Sequence, residues 1–217
     1  MKKYTTVLFD LDGTLIDSGI GVTNSVAYAL EKLGITPPPR NELFKFIGPP
    51  LVHSFRDFYG FDEAKTDIAV KYFREYYNEK GALECTVYQG IIELLKSLKQ
   101  KGYKIALATS KAENFSVMIV ENKGIMPYLD YLGAASADEK SRVTKEAVIE
   151  YTLELCSEKD KSKIVMIGDR HFDINGANSF GLDSIGVTYG YGSYEELKQA
   201  GATYIVNTTK EVDELLK

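Results

Sequence analysis

The sequence predicts an α/β fold: a parallel sheet covered by helices on both faces, with a small all-helical unit inserted after the first strand. Three observations predict it. Short runs that are apolar throughout alternate with helical periodicity at both ends of the chain, the pattern of strands buried on two faces. The stretch from 17 to 81 carries helical stripes with no convincing strand between them. Carboxylates or hydroxyls follow the apolar runs directly, at the strand ends where open α/β sheets hold their ligands.

The first run is Thr6-Val7-Leu8-Phe9-Asp10, and similar runs recur at Lys104–Thr109, Lys163–Gly168, Ser184–Val187 and Thr203–Val206. Helical patterns accompany them at Ile91–Lys101, with Ile91, Leu94, Leu95 and Leu98 on one face, and at Val143–Leu155, Tyr194–Ala200 and Glu211–Leu216. In the insertion, Val22, Val26, Leu30 and Leu33 form one stripe, and Ile68, Tyr72, Phe73 and Tyr76 form another. Pro37-Pro38-Pro39 and Gly48-Pro49-Pro50 break the helices between them. Phe44, Phe46, Phe55, Phe58, Tyr59, Tyr72, Phe73, Tyr76 and Tyr77 concentrate here and are expected to fill most of the unit's core, since so small a unit needs large side chains. The expected division is a core of 1–16 with 82–217 and a helical domain of 17–81.

Composition excludes several functions. The 217 residues hold 26 Lys+Arg against 31 Asp+Glu, a net charge of -5, which argues against a broad nucleic-acid or anionic-membrane surface. No apolar run reaches the roughly 18 residues that span a bilayer, and Asp10 and Asp12 come too early for an apolar leader, so a cytoplasmic location is expected. Cys85 and Cys156 are too few for a disulfide framework and lack metal-ligand spacing; both are expected to be packed thiols. His53, alone in an aromatic-rich helix, is expected to be packed as well.

The chemistry concentrates at three strand ends. Phe9-Asp10-Leu11-Asp12-Gly13-Thr14 runs an apolar strand into two carboxylates one residue apart, with Gly13 permitting a sharp turn. Thr109-Ser110-Lys111 follows the next strand, where a hydroxyl and free backbone N–H groups at a helix start suit an anion or simply cap the helix. Gly168-Asp169 ends a third strand, with Asp173 four residues on as a ligand or an N-cap. Converging carboxylates call for a cation. Lys145, near a helix start with Thr144 as a plausible cap, opposes the helix dipole and so invites another use; Lys140 and Arg142 compete for it. Arg170 and His171 are expected to face solvent.

In this order, Asp10-x-Asp12-Gly-Thr, Thr109-Ser110, Lys145 and Gly168-Asp169-x-x-x-Asp173 resemble the four motifs of the haloacid dehalogenase superfamily, over nearly the whole chain. The second aspartate points to its phosphatase branch, and the insertion is similar to the helical cap of phosphoglycolate phosphatase-like and 5'-nucleotidase-like members. The resemblance implies a Rossmann-like core and a phosphoric monoester hydrolase. It implies Asp10 as nucleophile and Asp12 as general acid and base. Mg2+ would be held by Asp10, the Asp12 carbonyl and Asp169, with Asp173 supporting. Gly13, Thr109, Ser110 and Lys145 would bind the phosphoryl group, and the Gly48-Pro49 loop would help select the substrate. This chain departs from the common pattern in placing Glu146 after the lysine and Ser110 where many relatives carry asparagine. The expected partner is a small phosphorylated metabolite such as phosphoglycolate, a nucleoside monophosphate or a sugar phosphate, with no nucleic acid polymer and no membrane. A phosphosugar mutase and an inorganic pyrophosphatase are the rivals within the superfamily. A phosphorylatable receiver domain would place its phosphorylated aspartate after a later strand and need no insertion.

Overall fold

The computed structural model of the protein describes residues 3–137 and 141–217. Its strands are β1 (Thr6–Phe9), β2 (Ile16–Asp17), β3 (Thr86–Val87), β4 (Lys104–Ala112), β5 (Tyr131–Ala135), β6 (Ile164–Gly168), β7 (Asp183–Val187) and β8 (Tyr204–Val206). Its helices are α1 (Gly19–Lys32), α2 (Arg40–Leu43), α3 (Leu51–Tyr59), α4 (Glu63–Glu79), α5 (Ile91–Gln100), α6 (Glu113–Asn122), α7 (Lys145–Leu155), α8 (His171–Ser179), α9 (Tyr194–Gln199) and α10 (Thr209–Leu215). Two compact units result, one of residues 1–17 and 87–217, the other of residues 18–86. Among the described residues no helix is long and apolar enough to cross a membrane.

The first unit is an α/β core built on a six-stranded sheet in the order β5-β4-β1-β6-β7-β8, with the neighbouring strands parallel. Every residue of β1 is buried, as a central strand covered on two sides requires. Fully burying a side chain such as Leu8 or Phe9 contributes about 1.5–3 kcal/mol. On one face Leu8, Ala106, Ala108 and Met166 pack against Val148, Ile149 and Ala177 of α7 and α8. The amphipathic α5 buries Ile91, Leu94, Leu95 and Leu98, packing on β4 and α10. The register pairs Phe9 with both Leu107 and Ile167, so the three central strands deliver their following residues to one edge of the sheet.

One strand of this sheet, β5, has no apolar run to announce it. Tyr131-Leu132-Gly133-Ala134-Ala135 is rich in residues that strands disfavour. The reason is the helix above it. A Cβ on Gly133 would lie 1.8 Å from Thr152 Oγ1 of α7 and 3.0 Å from the Leu107 carbonyl oxygen, so α7 approaches β5 only over a glycine. Both cysteines are buried and free.

The second unit is all-helical. In α1 the expected stripe holds for Val22, Val26 and Leu30, joined by Ala29. In α4 it is displaced: Thr66, Ala69, Phe73 and Tyr77 are buried while Ile68 is 46% exposed. The small residues Thr66 and Ala69 are inside because α4 packs closely on α1, so a stripe counted from large residues points the wrong way. Phe46 lies 5.1 Å from Phe55 and 5.3 Å from Phe58, ring centre to ring centre, and Phe55 stacks on Phe61 at 6.0 Å. Pro39 and Pro50 precede α2 and α3. His53 is exposed on α3 rather than packed.

The unit boundary at 86/87 lies beyond the expected 81/82. The turn Gly81–Leu83 belongs with the helices because the Gly21 N–H donates to the Glu84 carbonyl at 3.0 Å, and a Cβ on Gly21 would lie 1.9 Å from the Gly81 carbonyl oxygen.

Gly133→Ala is expected to destabilise the protein by about 1–3 kcal/mol through overpacking beneath α7. A urea midpoint equal to that of the wild type would show that α7 can withdraw from β5 without cost.

Candidate active site

Asp10 follows β1 directly, and its backbone N–H donates to the Ile167 carbonyl of β6 at 2.9 Å, which fixes where the side chain emerges. Asp169 follows β6, and α8 then carries Asp173 back toward the same point. One carboxylate oxygen from each of Asp10, Asp169 and Asp173 lies within 4.8 Å of the others, and all three residues are buried. Gly13 makes this approach possible. It has φ of 82°, and a Cβ there would lie 2.1 Å from Asp169 Oδ2.

Lys145 opens α7, where the Thr144 hydroxyl accepts from the Ala147 N–H at 3.2 Å as an N-cap. Its ammonium is buried beside Asp10 Oδ1 at 2.6 Å and Asp173 Oδ1 at 2.7 Å, and donates to the Ala108 carbonyl at 3.0 Å. Burial pulls the ammonium down, but the Asp10 and Asp173 charges hold it above the usual lysine range. Arg142 is used elsewhere: its Nε donates to the Ala134 carbonyl at 2.6 Å, and its guanidinium lies 3.8 Å from the Tyr151 ring centre. Lys140 lies outside the described residues.

Asp173 does not sit at the helix N-cap. Two residues into α8, it accepts the Arg170 backbone N–H on Oδ2 at 3.1 Å and presents Oδ1 to Lys145. The N-cap is thus Arg170, and Asp173 instead closes the first turn through one oxygen and meets Lys145 through the other.

The second motif lies differently from expectation. The strand does not end before Thr109 but runs to Ala112, and its pairing with β5 shifts register between Thr109 and Ala112. Thr109 and Ser110 therefore sit at an irregularity inside β4 instead of at the start of α6. The buried Thr109 hydroxyl accepts the Lys111 N–H at 3.2 Å.

Lys111 was not among the expected site residues, yet its ammonium lies 3.2 Å from Asp12 Oδ2. The only signal in the sequence was its place after Thr109-Ser110. Asp12 Oδ1 is buried and has no hydrogen-bond partner among the described residues. Arg170 and His171, expected to face solvent, are half-buried and meet Glu196 Oε1 at 2.8 and 2.7 Å. Gly48 and Pro49 lie in the helical unit, in the turn before α3.

The electrostatics of the cluster are unbalanced, with three buried carboxylates close together and one ammonium placed against two of them. Burial, resisted by the Lys145 charge and reinforced by repulsion from Asp173, pushes Asp10 above the ordinary carboxylate range. Burial followed by repulsion from Asp173 and Asp10 pushes Asp169 well above it. A second positive charge at this point would relieve both, and hard carboxylate oxygens suit Mg2+. Together the site offers a buried carboxylate fixed by an ammonium, a second carboxylate with one oxygen uncommitted, and a polar strand irregularity beside them.

Comparison with known proteins agrees with this chemistry. Residues 7–187 match the family model described as haloacid dehalogenase-like hydrolase. The chain is 40% identical over 205 residues to a 5'-nucleotidase of Pseudomonas aeruginosa, covering 93% of this chain and 90% of that protein. A solved structure described as a predicted phosphatase from Clostridium acetobutylicum superposes with a TM-score of 0.92 at 48% identity, covering 97% of each chain. Tyrosine-protein kinase PtkA of Mycobacterium tuberculosis is 34% identical over 209 residues, or 96% of this chain and 70% of that protein. The agreement of motif order, buried site and relatives over nearly the full length places the chain in the haloacid dehalogenase-like hydrolase family, on its phosphatase side.

Proposed function

We propose that the protein is a Mg2+-dependent phosphatase that hydrolyses a small phosphomonoester through an aspartyl-phosphate on Asp10, with a nucleoside monophosphate as the leading substrate class. The observation that carries the mechanism is the buried Asp10 carboxylate held through Oδ1 by Lys145 at 2.6 Å, which leaves Oδ2 to attack. The similarity to a 5'-nucleotidase supports the substrate class.

Asp10 Oδ2 forms the new O–P bond as the bond from phosphorus to the leaving alkoxide breaks, and protonated Asp12 gives that alkoxide its proton. Asp12 then takes a proton from water, whose oxygen attacks the aspartyl-phosphate and releases inorganic phosphate with Asp10 restored. Its uncommitted Oδ1 is the oxygen suited to this exchange, while Lys111 steadies Oδ2. Thr109 and Ser110 hold phosphoryl oxygens, Gly13 admits the phosphoryl group close to the backbone, and Lys145 balances the charge that develops beside Asp10. Asp10, Asp169 and the Asp12 carbonyl would hold Mg2+, with Asp173 orienting Lys145 and closing the set. When bound, the ion offsets the repulsion between the Asp10 carboxylate and a phosphate dianion. Choice of leaving group is assigned to the helical unit, with Gly48 and Pro49 as candidates.

Asp10→Asn is expected to abolish hydrolysis of para-nitrophenyl phosphate and of nucleoside monophosphates while leaving the circular dichroism spectrum unchanged; retained turnover would remove Asp10 from the nucleophile role. Lys145→Ala is expected to lower kcat by roughly 10²–10³-fold, in line with loss of one preorganised charge, and an unaltered kcat would move the role to Lys140 or Arg142. Chelation with EDTA is expected to stop turnover and added Mg2+ to restore it, whereas activity that survives chelation contradicts the metal assignment.

A further inference from the structure

The loop after β7, Tyr189-Gly190-Tyr191-Gly192, is pressed against the site although none of the four motifs contains it. The Tyr191 N–H donates to Asp169 Oδ2 at 2.8 Å, and the Tyr191 phenol donates to Asp17 Oδ1 at 2.6 Å. The glycines on either side allow the approach. A Cβ on Gly190 would lie 2.3 Å from the Gly13 carbonyl oxygen and 2.5 Å from Asp169 Oδ2, and one on Gly192 would lie 1.9 Å from the Asp169 carbonyl oxygen. The Tyr189 phenol donates to the Thr14 carbonyl at 3.1 Å, and its ring meets Tyr88 at 5.1 Å.

A second, longer hydrogen bond also reaches the Asp169 carboxylate. Its Oδ1 receives the Thr14 hydroxyl at 3.4 Å, so the Tyr191 N–H supplies the short bond. The terminal torsion of an aspartate is broad, and a carboxylate without such a bond turns easily. Metal-binding carboxylates depend on partners of this kind for affinity.

We propose that Tyr191 is a positioning residue whose phenol, anchored on Asp17, fixes the backbone N–H that orients Asp169 for the metal. The proposal rests on the reading of Asp169 as a metal ligand. It makes Asp17, the last residue of the core unit before the chain enters the helical unit, part of the support of the metal site. The phenol reaches no reacting atom, so its effect is on affinity for the ion.

The test is calorimetric titration of Mg2+ into the full-length wild type, Tyr191→Phe, Asp17→Ala, the double variant, Asp17→Asn and Asp169→Asn, with thermal melts in metal-free buffer. Tyr191→Phe and Asp17→Ala are each expected to weaken Mg2+ by about tenfold, as loss of a supporting partner does, and the double variant by no more than either alone. Asp17→Asn keeps an acceptor oxygen and is expected to restore most of the affinity lost in Asp17→Ala. Metal-free melting temperatures close to wild type would separate this effect from general destabilisation. Undiminished affinity in Tyr191→Phe, or losses that multiply in the double variant, would overturn the proposal while Asp169→Asn still abolishes binding. Mg2+ binding to Asp169→Asn at wild-type strength would instead remove Asp169 as a ligand, and both readings would fall.

Discussion

A buried lysine between two aspartates is the constraint on which this site depends. Lys145 brings one ammonium to Asp10 and Asp173, and all three residues are buried. Removing one partner of a buried ion pair typically costs about 3–5 kcal/mol, because a charge is left without compensation. The start of α7, the end of β1 and the first turn of α8 are thereby tied to one point. The Ala108 carbonyl adds β4 as a fourth element. The arrangement also leaves a deficit, since Asp169 joins the same cluster without bringing a cation.

Sheet topology explains how residues so far apart in the chain meet. With β1 between β4 and β6, the strands carrying Asp10, Thr109 and Asp169 are neighbours, although 135 residues separate Asp10 from Lys145. Parallel strands all deliver their ends to one edge, and the register aligns Phe9 with Leu107 and Ile167. Glycine then sets how closely the loops approach. Gly13 admits the Asp169 carboxylate, and a Cβ on Gly168 would lie 2.2 Å from that of Asp173. The proposed chemistry uses this geometry by placing a nucleophile, an acid–base pair partner and a cation-binding set at one point before substrate arrives.

The sequence made most of this legible, for identifiable reasons. The strands β1, β4, β6 and β7 are buried on both faces and so appear as apolar runs, and the residues following them announce the site. Close packing hides what remains. β5 carries a glycine at its centre where α7 lies against it, and the buried face of α4 includes Thr66 and Ala69, which no count of large residues would choose. Lys111 and Tyr191 have no motif to mark them as site residues, because their importance lies in partners that only the fold supplies; Tyr191 meets Asp17 across 174 residues of sequence. Lys145 was marked by its place in the motif order, and its burial against Asp10 could be seen only in the structure.

The account turns on which atom accepts the phosphoryl group. A single turnover with a nucleoside monophosphate and Mg2+, quenched in acid, treated with borohydride and mapped by peptide mass spectrometry, would identify it. Reduction of an aspartyl-phosphate converts that residue to homoserine, so the account predicts homoserine at position 10 and nowhere else. A stable phosphate on Thr109 or Ser110, or acid quenches taken throughout the turnover that never show a modified residue at position 10, would contradict it.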